Sequence, residues 1–79
     1  MKRHERIEIN PDIMFGKPVI KGTRIPVELI LKMLSQDMSV KEILVEYPHL
    51  TKGDIQACLA YATQSLEVEE VLPLERVGK

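Results

Sequence analysis

The sequence predicts a mostly α domain, with a short β-strand and β-hairpin at the N-terminus followed by a three-helix bundle. Three observations carry this. Residues 16–27 hold two glycines, two prolines and alternating β-branched residues, a content that a helix does not tolerate and a tight hairpin requires. After Pro26 the apolar spacing changes from a period of two to the helical period. Two helix-start signatures then follow, at Ser39 and at Thr51.

Taken in order, residues 5–9 (Glu-Arg-Ile-Glu-Ile) alternate polar with apolar and end at Asn10-Pro11-Asp12, a turn sequence. They form one edge strand, which either folds back on the hairpin or pairs across a dimer. In the hairpin, Pro18-Val19-Ile20 and Arg24-Ile25-Pro26 are the arms and Lys21-Gly22-Thr23 is the reversal. The element is basic, with Lys17, Lys21 and Arg24 and no acid. It suits a dimer seam, a phosphate contact or a lid on a small core.

The first helix places Val27, Ile30, Leu31 and Leu34 on one face, with Pro26 in its first turn. Gln36-Asp37-Met38 breaks it. Ser39-Val40-Lys41-Glu42 is a capping box, and the second helix buries Val40, Ile43, Leu44 and Tyr47 before stopping at Pro48. Thr51 caps a third helix with Asp54 in its first turn, and Ile55, Cys58, Leu59, Ala62 and Leu66 form its apolar stripe as far as Glu69 or Glu70. The boundaries expected are a β extension and dimerisation arm at 1–27, a trihelical unit at 28–70 and a C-terminal tail at 71–79.

At 79 residues with one cysteine, the chain has a thin core and no internal disulfide, so a second subunit is the available staple. His4 and His49 have no neighbours at ligand spacing, and neither a metal nor a cofactor site is readable. No run of about 20 apolar residues spans a bilayer. A soluble cytoplasmic protein without membrane contact is expected. The net charge of −1 divides unevenly: residues 1–25 sum to +3 and residues 65–79 to −2. Any nucleic-acid surface is therefore expected toward the N-terminal end.

Catalysis finds no support, since no nucleophile, base and orienting acid are grouped, and the chain reads as a non-enzyme. Cys58 falls on an apolar face and reads as a core residue. A short helix, a tight turn and a longer helix make the outline of a helix-turn-helix. On it, Lys52 and Gln56 stand where base edges are read, while Asp54 would face phosphates unfavourably. Lys41 is a candidate phosphate contact, as are Lys21 and Arg24 together with Lys2, Arg3, Arg6 and Lys17. In the tail, Val68, Val71, Leu72, Leu74 and Val77 either fold back on the helices or order on a protein partner.

These motifs resemble a known family. Ile9-Asn10-Pro11-Asp12-Ile13, the run from Gly16 through Gly22-Thr23-Arg24 to Val27, Ser39-Val40-Lys41-Glu42-Ile43-Leu44 and Tyr47-Pro48-His49-Leu50-Thr51 closely resemble domain-of-unknown-function family 433 over about residues 6–66. The resemblance implies a homeodomain-like helix-turn-helix with an N-terminal β extension. It also implies a VapB-like antitoxin of a toxin-antitoxin system: a homodimer that binds its own operator DNA and masks a PIN-like nuclease through its C-terminal part. The partner-binding residues expected are then Val68, Val71, Leu72, Leu74 and Arg76. The alternative is a trihelical protein-interaction module that does not bind DNA.

Overall fold

The computed structural model describes residues 5–68. Its order is β1 (Ile7–Glu8), β2 (Val19–Ile20), α1 (Val27–Ser35), α2 (Val40–Glu46) and α3 (Lys52–Val68), with a single 3-10 turn at Met14–Gly16 between the strands. The mostly helical class with a small N-terminal sheet is as expected. The pairing differs in detail. β1 runs antiparallel to β2, with Ile7 opposite Ile20 and Glu8 opposite Val19. The edge strand thus folds back within its own chain.

The return arm of the hairpin is not a full strand. It is reduced to one bridge between Val19 and Pro26, closed by Ile20 N–H to the Ile25 carbonyl at 3.0 Å and Val27 N–H to the Pro18 carbonyl at 2.9 Å. Pro26 has no N–H to extend a ladder, and α1 begins one residue later. The reversal is as predicted. Gly22 sits at φ +82° in a turn closed by Thr23 N–H to the Ile20 carbonyl at 3.0 Å. The Thr23 hydroxyl also donates to that carbonyl at 2.7 Å and accepts from Ile25 N–H at 2.9 Å.

Pro26 is the residue capping α1 rather than part of its first turn. The fully buried face of α1 is Val27, Ile30 and Met33, with Leu31 and Leu34 only half-buried. The helix ends in a Schellman arrangement. Asp37 N–H donates to the Leu34 carbonyl at 3.0 Å and Met38 N–H to the Met33 carbonyl at 3.1 Å, with Asp37 itself left-handed at φ 71°. The break foreseen at 36–38 is therefore a formed cap, and Met38 folds back onto the core.

The capping box of α2 is complete: Glu42 N–H donates to Ser39 Oγ at 3.0 Å and Ser39 N–H to Glu42 Oε1 at 2.8 Å. Ile43 is its fully buried residue, flanked by half-buried Val40, Leu44 and Tyr47. On α3, Ile55 and Cys58 are buried, and Tyr61 packs beside them. Leu59 and Leu66 were expected in the stripe but are 45 % and 72 % exposed. Positions 55, 58 and 62 repeat on one face and 59 lies toward its flank, whereas 66 returns to the face of 55 but stands exposed near the far end of α3, along an open groove with Tyr61 and Ala62.

One core serves both parts of the chain. Ile20, Ile30, Ile43 and Ile55, each at most 2 % exposed, come one each from β2, α1, α2 and α3. Asp37 is a non-glycine residue held in the left-handed region at the C-cap of α1. Asp37→Gly is expected to raise stability by about 0.5–1 kcal/mol, because glycine takes the left-handed conformation freely. Urea denaturation of the two proteins measures this as an upward shift of the midpoint with an unchanged slope.

Candidate nucleic-acid interface

The segment from α2 to α3 is built by local rules. Tyr47 N–H closes α2 on the Ile43 carbonyl at 2.9 Å, and Pro48 prevents a further turn. Leu50 N–H returns to the Tyr47 carbonyl at 2.9 Å while its side chain, 5 % exposed, anchors the connector in the core. Thr51 and Asp54 then form a second reciprocal box. Asp54 N–H donates to Thr51 Oγ1 at 3.2 Å, and Thr51 N–H donates to Asp54 Oδ2 at 2.9 Å.

Asp54 is also engaged from outside its helix. Arg6 Nη1 donates to Asp54 Oδ1 at 3.1 Å, and the carboxylate is 14 % exposed. The Arg6 guanidinium lies over Gly53, where any Cβ would come within 3.1 Å of Arg6 Cζ. The expectation that Asp54 faces phosphates is therefore corrected. Its charge is turned inward, onto a backbone N–H and a guanidinium, because a capping residue at this position must fold back over the helix end.

The same pair removes Arg6 from the free cations. Lys17 is also occupied, by Glu28 Oε2 at 2.7 Å. Lys2 and Arg3 lie outside the described residues. Of the basic N-terminal set, Lys21 and Arg24 remain exposed and without an ion pair among the described residues. Lys21 is held near the start of α3, since its N–H donates to the Arg6 carbonyl at 2.8 Å. Lys52 and Gln56 are exposed four residues apart on α3, on one face of its first turns. Lys41 is exposed in the first turn of α2. That places it at the far end of this helix, about 10 Å along the axis from the turn. The structure puts Lys52 and Gln56 together on α3, ties the Lys21 backbone to Arg6, which reaches the same helix at Asp54, and leaves Lys41 apart.

Arg24 faces a different feature. With Gly22, Thr23 and Ile25 it forms one wall of an open cleft of about 570 Å³, and Tyr47 and His49 form another, with Glu8 and Ile13 at the rim. The Gly-Thr-Arg turn and the Tyr-Pro-His turn thus meet across a groove. Nothing in the local sequence announces this, because only the packing of β2 against the helices brings positions so distant in the chain together. Val71, Leu72, Leu74 and Arg76 lie outside the described residues, as does the side chain of Val68. Among the described residues no cluster of three or more His, Cys, Asp or Glu side chains is placed to hold a metal. No described helix is long and apolar enough to cross a membrane.

A family model described as "Protein of unknown function (DUF433)" matches residues 7–62, from β1 through most of α3. The chain belongs to the DUF433 family. It is similar to the crystal structure of a DUF433 member protein from Anabaena variabilis, with a TM-score of 0.74 and 36 % identity, covering 80 % of this chain and 62 % of that one. It is also 34 % identical over 58 residues to "Uncharacterized protein y4eO" of Sinorhizobium fredii, a match over 73 % of this chain. The chain spans about a quarter of that relative's length, 26 %.

Cys58 lies beneath this surface, fully buried one helical turn from Asp54. Desolvation, reinforced by the Asp54 carboxylate, pushes its thiol up from the ordinary 9.0 to about 11. The folded DUF433 chain should therefore hold about a hundredfold less thiolate than its unfolded form at pH 8. Alkylation by iodoacetamide, followed by mass, is expected to track unfolding. The raised value also sets a sign for stability. The contribution is complete below about pH 9 and is lost as pH rises through 11. For the cap, Asp54→Ala is expected to cost about 1–2 kcal/mol, since it removes the carboxylate that accepts from Thr51 N–H and pairs with Arg6, while the backbone half of the box stays. Arg6→Ala is expected to cost less than about 1 kcal/mol, because Arg6 is 56 % exposed. Urea midpoints of the two variants test the order.

Proposed function

We propose that this DUF433 chain is a small DNA-binding regulator of the antitoxin type, which dimerises, binds its own operator and restrains a PIN-like nuclease. The observation that carries the DNA half is the tight α2–α3 connection with its cleared helix start. Lys52 and Gln56 project from the exposed face of α3, while the one acid in its first turn, Asp54, is held inward by Arg6. A helix-turn-helix places the N-terminal part of its second helix in the major groove, where lysine and glutamine meet phosphates and base edges. Lys21 and Arg24 on the neighbouring turn add sequence-independent phosphate contacts, and Lys41 is an outlying one. The nuclease half is supported by the family resemblance together with the apolar residues Val68, Val71, Leu72 and Leu74 and the cation Arg76. A segment of that composition orders on a protein groove.

Two measurements test the two halves. Fluorescence anisotropy with a duplex from the chain's own promoter is expected to show binding that weakens steeply with salt. Lys52→Glu and Lys21→Glu should each weaken it across all sequences, and removing each charge should reduce the salt slope by about one. Gln56→Ala should alter preference among sequences. Arg6→Gln should weaken binding as well, by releasing the Asp54 charge toward the phosphates. Absence of any salt-sensitive binding removes the DNA half and leaves a protein-interaction module. Co-expression with the adjacent reading frame tests the other half: a PIN-like nuclease should copurify and lose activity, and failure of both removes the antitoxin reading.

A further inference from the structure

Two apolar features stand outside the core. One is the ring of Phe15, 94 % exposed in the loop between the strands. The other is a built surface. Pro18, Val27, Leu31, Tyr61, Ala62 and Leu66 line an open groove of about 400 Å³ between α1 and α3. Leu66, on the α3 wall, is 72 % exposed. The charged side chain in the lining is Glu28, which is held by Lys17 at 2.7 Å. An uncharged apolar segment therefore fits here without burying an unpaired charge.

Where α3 ends decides which segment is nearest. The helix finishes at Val68, two residues past Leu66, and the sequence goes on for 11 residues, 69–79, outside the described ones. Val71-Leu72-Pro73-Leu74 is an uncharged run between Glu70 and Glu75. The helical stretch from Ala62 to Val68 is about 9 Å long, and four extended residues cover about 13 Å. With Glu69 and Glu70 as the turn, the run is long enough to retrace the α3 wall. Local chemistry favours that form, since proline fixes its own φ and biases the preceding residue, here Leu72, toward extended backbone. In an extended chain Leu72 and Leu74 share one side.

We propose that the α1–α3 groove is the docking site of this chain's own Val71–Leu74 segment, with Leu72 and Leu74 laid against Leu31, Tyr61 and Leu66. The tether makes a small contact sufficient. A free partner needs about 1,200 Å² of buried surface for a stable complex. A segment joined to its site by two residues binds instead at an effective concentration of about millimolar. Docking takes Leu66 and two tail leucines out of water together, which is the driving force. The inference concerns the free chain and requires neither DNA nor a nuclease. It adds one consequence to the reading above: a partner that takes the tail must draw it out of this groove.

Nuclear magnetic resonance of the full chain alone tests it. A nitroxide on the thiol of Val77→Cys reports where the tail lies, and the buried Cys58 stays unlabelled. The amides of Val27 and Leu31, on the α1 wall, should lose their signals. Leu72→Glu together with Leu74→Glu should restore them. Leu66→Glu, at an exposed position, should restore them from the groove side. Val45→Glu, at a 76 % exposed residue of α2, should leave them lost. Protection of Cys58 from iodoacetamide checks that each variant is folded. Full Val27 and Leu31 signals in the nitroxide-labelled chain overturn the inference. So does a loss that persists with either the tail or the groove substitutions, because the tether alone would produce it. Mixing isotope-labelled chain with unlabelled chain that carries the nitroxide separates the copies. Signal loss in that mixture puts the tail in a second copy's groove and overturns the inference too. With DNA and nuclease absent, none of these results bears on operator binding or copurification, and failure of either leaves the docking intact.

Discussion

Four isoleucines hold the fold together. Ile20, Ile30, Ile43 and Ile55 are each drawn from a different element and are shut almost completely from water. In a chain of 79 residues such a junction cannot be duplicated elsewhere, because the surface-to-volume ratio leaves room for one core only. Every other feature is placed by reference to it. Through Ile20 the Gly-Thr-Arg turn is pinned against the helices, Leu50 of the α2–α3 connector is drawn into the same cluster, and α3 is oriented with Ile55 and Cys58 inward. The exposed faces that carry Lys52, Gln56 and Leu66 are the complements of that burial.

Electrostatics refines what packing sets up. At the start of α3, Asp54 stabilises the helix end by accepting from Thr51 N–H and is in turn neutralised by Arg6, which arrives from the residue preceding β1. The strand pairing therefore has a consequence beyond the sheet, since it delivers a guanidinium to the helix where a carboxylate would otherwise oppose an anion. Of the four described cations in residues 1–25, only Lys21 and Arg24 stay out of an ion pair. Arg6 is taken by Asp54 and Lys17 by Glu28.

Much of this was legible residue by residue. The caps at Ser39 and Thr51, the reversal at Gly22 and the stop at Pro48 follow from bonds within four residues, and each formed as expected. Periodicity placed three helices and most of their buried positions. It erred at Met33 and Leu59, where the width of the neighbouring element decides how far around a helix burial extends, and at Leu66, which shares the face of Ile55 but lies outside the core cluster near the far end of α3. The return arm at 24–26 was overestimated, because β-propensity does not say whether a partner ladder has room before the next helix starts. Phe15 passed as one of a few scattered aromatics. The available signal was a Met-Phe pair in a loop between turn residues and Gly-Lys-Pro, with no apolar face to join.

The sequence by itself determined the class of fold, the order of its elements and the family, since all three rest on local backbone chemistry and short motifs. Tertiary structure alone decided which charges are free, which turns face one another across the Arg24–His49 cleft, and which apolar side chains are left outside. The reason is one of range. Capping, turn and helix preferences are settled by atoms a few residues away. Pairing Arg6 with Asp54, or leaving Phe15 in solvent, depends on how separate elements pack around a single core.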